Sequence, residues 1–323
     1  MKKLFTGLLA VSLPVLLFTF CVTWSILAVT YYEAENKRPQ RVEASSINSA
    51  NINTQVGRLI PVPARWNENE QVLKFSAGKS LTEMYAARQA ELVSYLNSKK
   101  ISDNYSIYFE DLKSGDKVLH LEGRNRKPAS IYKVALAVLV MRRSETSGLS
   151  LNKLVRIENK NYSLAKVMEL MLTESNNDAI SIMERELGGY NATQSLIGQE
   201  FGAVLKRAGQ ITTATDIAKV YKKLYESYIQ DGGYLNRTSA VQIIDLMKRQ
   251  IPQLQDRIPA AVRAVKPDYE IASKIGTLDG VYQDAALIFT DSGRDYLLVI
   301  LNEQRLTTSA VAEIREITRI LLY

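Results

Sequence analysis

Ser130 and Lys133 stand three residues apart in Arg126-Lys127-Pro128-Ala129-Ser130-Ile131-Tyr132-Lys133, and the apolar run Val134-Ala135-Leu136-Ala137-Val138-Leu139-Val140-Met141 follows. Residues three apart on a helix share a face, so the hydroxyl and the amine point the same way. Burial disfavours an ammonium ion, which lowers the lysine pKa and lets the amine act as base toward the serine. A nucleophile made without histidine matters here, because the chain has one His and one Cys. Ser-His-Asp and Cys-His machinery therefore has little to build on. One Cys also excludes an intramolecular disulfide and a Cys-based zinc site. His120, in Lys117-Val118-Leu119-His120-Leu121, reads as a structural strand residue.

The Ser-x-x-Lys spacing occurs five times, beginning at Ser76, Ser114, Ser130, Ser150 and Ser163. Context separates them. Ser76 borders a polar tether, and Ser114 lies in a turn with Gly115. Ser150 and Ser163 precede polar segments or cap helices. Only Ser130 opens a strongly apolar helix, just after a proline-containing loop. Two further sites accompany it. Ser175-Asn176-Asn177 follows the helical segment Leu164–Leu172, and Lys274-Ile275-Gly276-Thr277 falls on an expected strand.

The three elements, in this order, resemble the SxxK, SDN and KTG sets of class A β-lactamases and penicillin-binding proteins. Thr212-Thr213-Ala214-Thr215-Asp216, Asp256-Arg257-Ile258-Pro259 and Gly276-Thr277-Leu278-Asp279-Gly280-Val281 extend the likeness over roughly residues 80–323. The resemblance implies that Ser130 is the acylated nucleophile and Lys133 its base or proton relay. It implies that Ser175 passes a proton toward the leaving nitrogen and that Asn177 hydrogen-bonds the substrate amide. Lys274 would anchor a substrate carboxylate, Gly276 would let substrate pass close to the strand, and Thr277 would contribute its hydroxyl. The backbone N–H groups of Ser130 and Thr277 would form the oxyanion hole of an acyl transfer.

The sequence departs from class A at one functional place. That class adds a glutamate on an omega loop, followed by Leu-Asn, to hydrolyse the acyl-enzyme, and no such pattern occurs between Gly188 and Thr212. Glu200 is the only carboxylate there and is the candidate deacylation base, although a surface helix glutamate is the plainer reading. Asn176 replaces the middle Asp and Ile275 the middle Thr of the family motifs; on an alternating strand Ile275 points away from substrate. Acylation is therefore expected to be intact and deacylation to be open. The resemblance leaves three uses of such a site: a β-lactamase, a D,D-peptidase on wall peptides ending in D-Ala-D-Ala, or a penicillin-binding sensor without turnover. No metal or organic cofactor is implied.

These residues need elements to position them. Leu81–Lys100 has helical periodicity. Tyr105–Leu112 and Lys117–Leu121 read as a hairpin around Ser114-Gly115-Asp116. Residues from about 129 to 250 read as helix-rich; strands return at Glu270–Thr277, Asp284–Thr290 and Tyr296–Asn302, and a last helix runs from about Thr308 to Tyr323. The order predicts an α+β fold: a three-layer αβα arrangement in which an antiparallel sheet, split in sequence by an all-helical subdomain, is flanked by helices.

Ahead of this domain, assigned to residues 76–323, Lys2 and Lys3 precede an apolar stretch from Leu4 to about Tyr32. It exceeds the roughly 20 residues that span a bilayer and is too long for a cleaved signal core. Residues 1–32 are expected to form a transmembrane signal anchor and residues 33–75 a polar tether. The expected location is the cell membrane, single-pass, with the domain extracytoplasmic. The net charge of +7 suits an anionic cell-wall polymer or membrane surface, and the lack of an aromatic-interleaved basic patch argues against nucleic acid.

Overall fold

The computed structural model describes residues 80–323, so the anchor and tether expected over residues 1–75 lie outside the described residues. Ser80 starts the domain with a capping box: its hydroxyl accepts from Glu83 N–H, and the Glu83 carboxylate accepts from Ser80 N–H. Both orphan donors at the start of α1 (Leu81–Ser98) are thereby satisfied. Strands β1 (Tyr105–Asp111) and β2 (Lys117–His120) form the expected hairpin. The helical block then intervenes: α2 (Tyr132–Thr146), α3 (Leu164–Thr173), α4 (Asp178–Glu186), α5 (Tyr190–Phe201), α6 (Ala214–Ile229), α7 (Arg237–Lys248) and α8 (Ile258–Val265).

Within that block lies a small hairpin, β3 (Leu154–Ile157) and β4 (Lys160–Ser163), where only helix was expected. Val155 and Ile157 are buried while Leu154 and Arg156 are exposed. That period-two burial fits a strand, and the segment is too short to complete a helical apolar face. Ser163, one of the look-alike serines, caps α3 by accepting from Lys166 N–H.

The chain returns to the sheet through β5 (Glu270–Leu278), β6 (Val281–Phe289) and β7 (Tyr296–Asn302), and ends in α9 (Thr307–Leu322). β6 begins three residues before the expected Asp284, because Leu278 pairs with Val281 across a two-residue Asp279-Gly280 turn. Gly280 has φ of +66°, a conformation that favours glycine in such tight hairpins. The sheet order is β2-β1-β7-β6-β5, every pair antiparallel. The termini thus supply neighbouring strands β1 and β7, as a sheet split in sequence requires.

The central strands read as continuous apolar runs because both sheet faces are covered. On β7, Leu297, Val299 and Leu301 enter the core shared with the helical block, and Leu298 and Ile300 enter the second core beneath α1, α8 and α9. This is the expected α+β fold of three layers. Helix α2 runs inside the helical block, where every residue from Tyr132 to Met141 is buried. A helix apolar all round is an interior helix, and its first turn is therefore a fixed platform. Among the described residues no helix is long and apolar enough to cross a membrane.

Candidate active site

Ser130 sits in a short 3-10 turn, Ala129–Ile131, that leads directly into α2. Ala129 holds φ of +44°, an uncommon value for a residue with a side chain. Such strain persists only where surrounding packing over-determines it, and here the turn packs on β5 and β6. Lys133 lies one turn into the platform and is fully buried. Its Nζ donates to Ser175 O at 2.5 Å, Ser175 Oγ at 3.0 Å and Asn177 Oδ1 at 2.8 Å. Burial pushes the Lys133 amine down to about 8, so a neutral form that can take a proton is accessible near physiological pH.

The Ser175-Asn176-Asn177 segment is the turn between α3 and α4. Ser175 has φ of +57°, which turns its hydroxyl toward the two lysines. Asn176 Oδ1 accepts from Ala179 N–H at 3.1 Å. It thus holds the start of α4, a structural duty that an amide performs as well as the carboxylate it replaces.

On the far side, Lys274 is fully buried on β5. Its Nζ donates to Ser175 Oγ at 2.9 Å and to Ile275 O at 3.0 Å. Burial, and then the neighbouring Lys133 cation, push its pKa well below the ordinary lysine value. Ser175 Oγ therefore accepts from both lysines, which directs its own proton outward. Ile275 alternates away from Lys274 and pairs in register with Asp284. Gly276 faces the nucleophile turn: a Cβ there would stand 2.9 Å from the Ala129 Cβ and 3.3 Å from Pro128 O. Only glycine lets β5 approach the turn this closely. Thr277, at the exposed mouth, accepts from Arg257 Nη2 at 2.7 Å through Oγ1.

Seven of the eight site residues chosen from the sequence thus share one junction: hydrogen bonds join Lys133, Ser175, Asn177 and Lys274, and β5, with Gly276 and Thr277, packs on the turn that carries Ser130. Glu200 does not join them. It lies near the end of α5, with its carbonyl accepting from Lys223 Nζ and its carboxylate facing Tyr234. The Tyr234 ring lies beneath Arg142 near the far end of α2. At 1.5 Å per residue that end is about 18 Å from Ser130. The expectation that Glu200 could serve deacylation is corrected on this geometry: α5 carries it to the wrong end of the platform. Residues 202–213, which follow, contain no Asp or Glu. His120 is structural, its Nε2 lying 2.8 Å from Ser102 O.

Arg257 is a further site residue, one whose role the sequence does not reveal. It is buried, and besides Thr277 it donates to Gly276 O at 3.0 Å and to Gln283 O. Its guanidinium adds a positive charge at the Gly276-Thr277 part of β5. Its only signal was its place in Asp256-Arg257-Ile258-Pro259, and nothing local aims an arginine at a strand 20 residues away. Asp284, fully buried nearby, has its carboxyl pushed up to about 7 by burial, against the opposing pull of Arg257. Among the described residues no cluster of His, Cys, Asp and Glu could hold a metal ion.

The arrangement provides a serine three residues ahead of a desolvated amine, a hydroxyl shared by two lysines, and a lysine and an arginine along β5, which are parts that an acyl transfer can use. Comparison with solved structures finds the same fold in PBP-A and in β-lactamases. PBP-A is 20% identical, with a TM-score of 0.63 over 75% of this chain and 96% of that one; a PBP-A mutant has been solved as an acyl-enzyme complex with penicillin G. A variant of the last common ancestor of Gram-negative bacteria class A β-lactamases is 18% identical, with a TM-score of 0.64 over 72% of this chain and 96% of that one. A β-lactamase from Chitinophaga pinensis is 17% identical, with a TM-score of 0.61 over 73% and 97%. Among curated proteins, none matches the chain at the level of sequence. The family model of the β-lactamase enzyme family matches residues 87–323, which takes in all three motifs, and the chain belongs to that family.

Proposed function

We propose that the chain is an extracytoplasmic serine acyl-enzyme of the penicillin-binding, D,D-peptidase kind, which opens β-lactam rings or cleaves D-Ala-D-Ala-like wall peptides by way of Ser130. The observation that carries this reading is the shared hydroxyl: Ser175 Oγ accepts from both Lys133 and Lys274. Neutral Lys133 takes the Ser130 proton as Oγ attacks the carbonyl carbon. The N–H groups of Ser130 and Thr277 stabilise the oxyanion. Ser175 hands a proton to the leaving nitrogen and recovers one from the lysines. Asn177 orients the substrate amide, and Lys274 and Thr277 receive its carboxylate, with Arg257 behind Thr277. A carboxylate arriving there restores the charge that burial discourages on Lys274.

Among the described residues, the segment that follows α5 makes no matching provision for deacylation. Residues 202–213 offer no carboxylate, Glu200 is remote, and the buried Glu184 is occupied by Tyr132 and Arg207. A long-lived β-lactam adduct follows, which favours the penicillin-binding use over the lactamase use. The apolar Leu4–Tyr32 run would fix the domain to the membrane, and the net positive charge would favour an anionic wall polymer nearby.

The test is intact mass after incubation with penicillin G. An adduct of the penicillin's own mass that persists for many minutes, absent in Ser130→Ala, is the expected result. Rapid return to the free mass with hydrolysed drug makes the protein a lactamase instead. No adduct in the wild type ends the acylation reading for this substrate class. Release of D-Ala from a wall peptide separates a peptidase from a sensor.

A further inference from the structure

We propose that Glu184 is a positioning residue for the Ser130 nucleophile. One buried carboxylate ties the turn carrying Ser130, through Tyr132, to the loop of residues 202–213, through Arg207. Glu184 lies on α4, the helix that begins beside Asn177, and is 4% exposed. Its Oε1 accepts from Tyr132 OH at 3.0 Å and from Arg207 Nε at 3.2 Å, and its Oε2 accepts from Arg207 Nη2 at 2.9 Å. Gln194, on α5, donates to the Tyr132 oxygen at 3.2 Å. The phenol oxygen thus accepts from Gln194 and gives its own proton to Glu184, which leaves it one orientation.

Tyr132 is fully buried and stands between Ser130 and Lys133. Its backbone N–H is directed at the Ser130 carbonyl. Fixing the phenol therefore fixes the turn that presents Ser130 Oγ and the Ser130 N–H. Because Glu184 rides on the helix that Asn176 and Asn177 begin, the same bond sets Ser130 and Lys133 against Ser175. Arg207 adds the third attachment; its guanidinium also lies over the Tyr190 ring, 5.5 Å from the centroid. A buried carboxylate is costly unless fully paired, and an apolar side chain would fill this space more cheaply. What the carboxylate adds is direction: three elements around the nucleophile are held by hydrogen bonds of defined geometry.

The inference rests on the acyl-enzyme reading for its kinetic arm and on the fold alone for its exchange arm. With the full chain and a fluorescent penicillin, the dissociation constant and the acylation rate constant are measured separately, and amide hydrogen exchange is followed by mass spectrometry over residues 126–133 and 202–213. Glu184→Leu is expected to lower the acylation rate constant about 10- to 100-fold, with the dissociation constant changed less than about twofold, since small misplacements cost that much in rate. Both segments should exchange faster. Tyr132→Phe should slow acylation about tenfold and leave the protection of 202–213 as in the wild type. Glu184→Gln, which keeps an acceptor for Tyr132 and loses the ion pair, should restore acylation to within about threefold while 202–213 stays unprotected. Should Glu184→Leu fail to fold, Glu184→Gln and Tyr132→Phe still carry the test. A Glu184→Leu protein that melts earlier but acylates at the wild-type rate overturns the proposal, as does Glu184→Gln with wild-type protection of 202–213. If the wild type itself forms no adduct, the acyl-enzyme reading falls; unchanged protection of both segments in Glu184→Leu would then overturn the positioning role independently.

Discussion

Lys133 gives three hydrogen bonds, to Ser175 O, Ser175 Oγ and Asn177 Oδ1, and an ammonium has three hydrogens to give. The charged form is therefore fully occupied and has no lone pair for Ser130; only the neutral amine can accept its proton. With its pKa pushed down to about 8, the neutral fraction rises about tenfold per pH unit below that value and saturates above it. The acylation rate constant should follow that rise and level off near pH 8; a flat profile from pH 6 to 9 removes Lys133 as the base. Lys274 works in the opposite sense. Its pKa is also lowered, so raising the pH discharges it and should weaken the binding of carboxylate-bearing substrates. Separate measurement of binding and acylation across pH resolves the two lysines. Arg257 acts on binding as well. Arg257→Gln removes charged donors behind Thr277 and Gly276, a loss of about 1.5–3 kcal/mol or roughly 10- to 100-fold in affinity for a carboxylate substrate. The acylation rate constant at saturation should change little; a loss confined to that constant would assign Arg257 to the chemistry instead.

At the scale of elements, the site is a junction between the 3-10 turn at Ser130, the α3–α4 turn at Ser175 and the edge strand β5. Gly276 sets the spacing of the first and third. In Gly276→Ala the new methyl meets Ala129 Cβ at 2.9 Å and Gln283 Oε1 at 3.3 Å, so either the strand or the turn must yield. Overpacking of this kind costs about 1–3 kcal/mol. Melting should fall by a few degrees while acylation falls further, because the yielding parts carry Ser130 and the oxyanion donors. Equal and small losses in both would place the strain elsewhere. The turns themselves were legible from motif spacing, yet their strain was not: Ala129 and Ser175 carry ordinary side chains, and only packing holds them at positive φ. The β3–β4 hairpin was missed because a four-residue strand offers two buried positions, too few to establish a period.

For the whole molecule, the sheet separates two cores, and the buried residues of the nucleophile turn and α2 lie in only one of them. Leu298 on β7 is fully buried in the core under α1, α8 and α9. Leu298→Ala should cost about 2–5 kcal/mol and lower Tm by roughly 5–15 °C for a domain of this size. The folded protein should still acylate at the wild-type rate, as measured at a temperature well below melting. A large kinetic defect would mean that the outer helical layer is coupled to the nucleophile turn. The split topology, with the termini supplying adjacent strands β1 and β7, was readable from the order of elements, since a helical block between two strand groups has few other ways to cover a sheet.

The sequence by itself determined the reactive set. Residue type and spacing selected Ser130 from five look-alike serines, because only one of them precedes a helix apolar all round. Lys133, Ser175 and Lys274 followed, since fixed offsets on helix, turn and strand are local properties. Tertiary structure decided the rest. It brought Ser175 Oγ between two lysines from segments 42 and 99 residues away, drew Arg257 behind β5, sent Glu200 to the far end of α2 and made Glu184 the shared partner of Tyr132 and Arg207. Long side chains reaching across chain separations of this kind leave no periodic trace. Their direction is set by which elements pack together, and that is a property of the folded core.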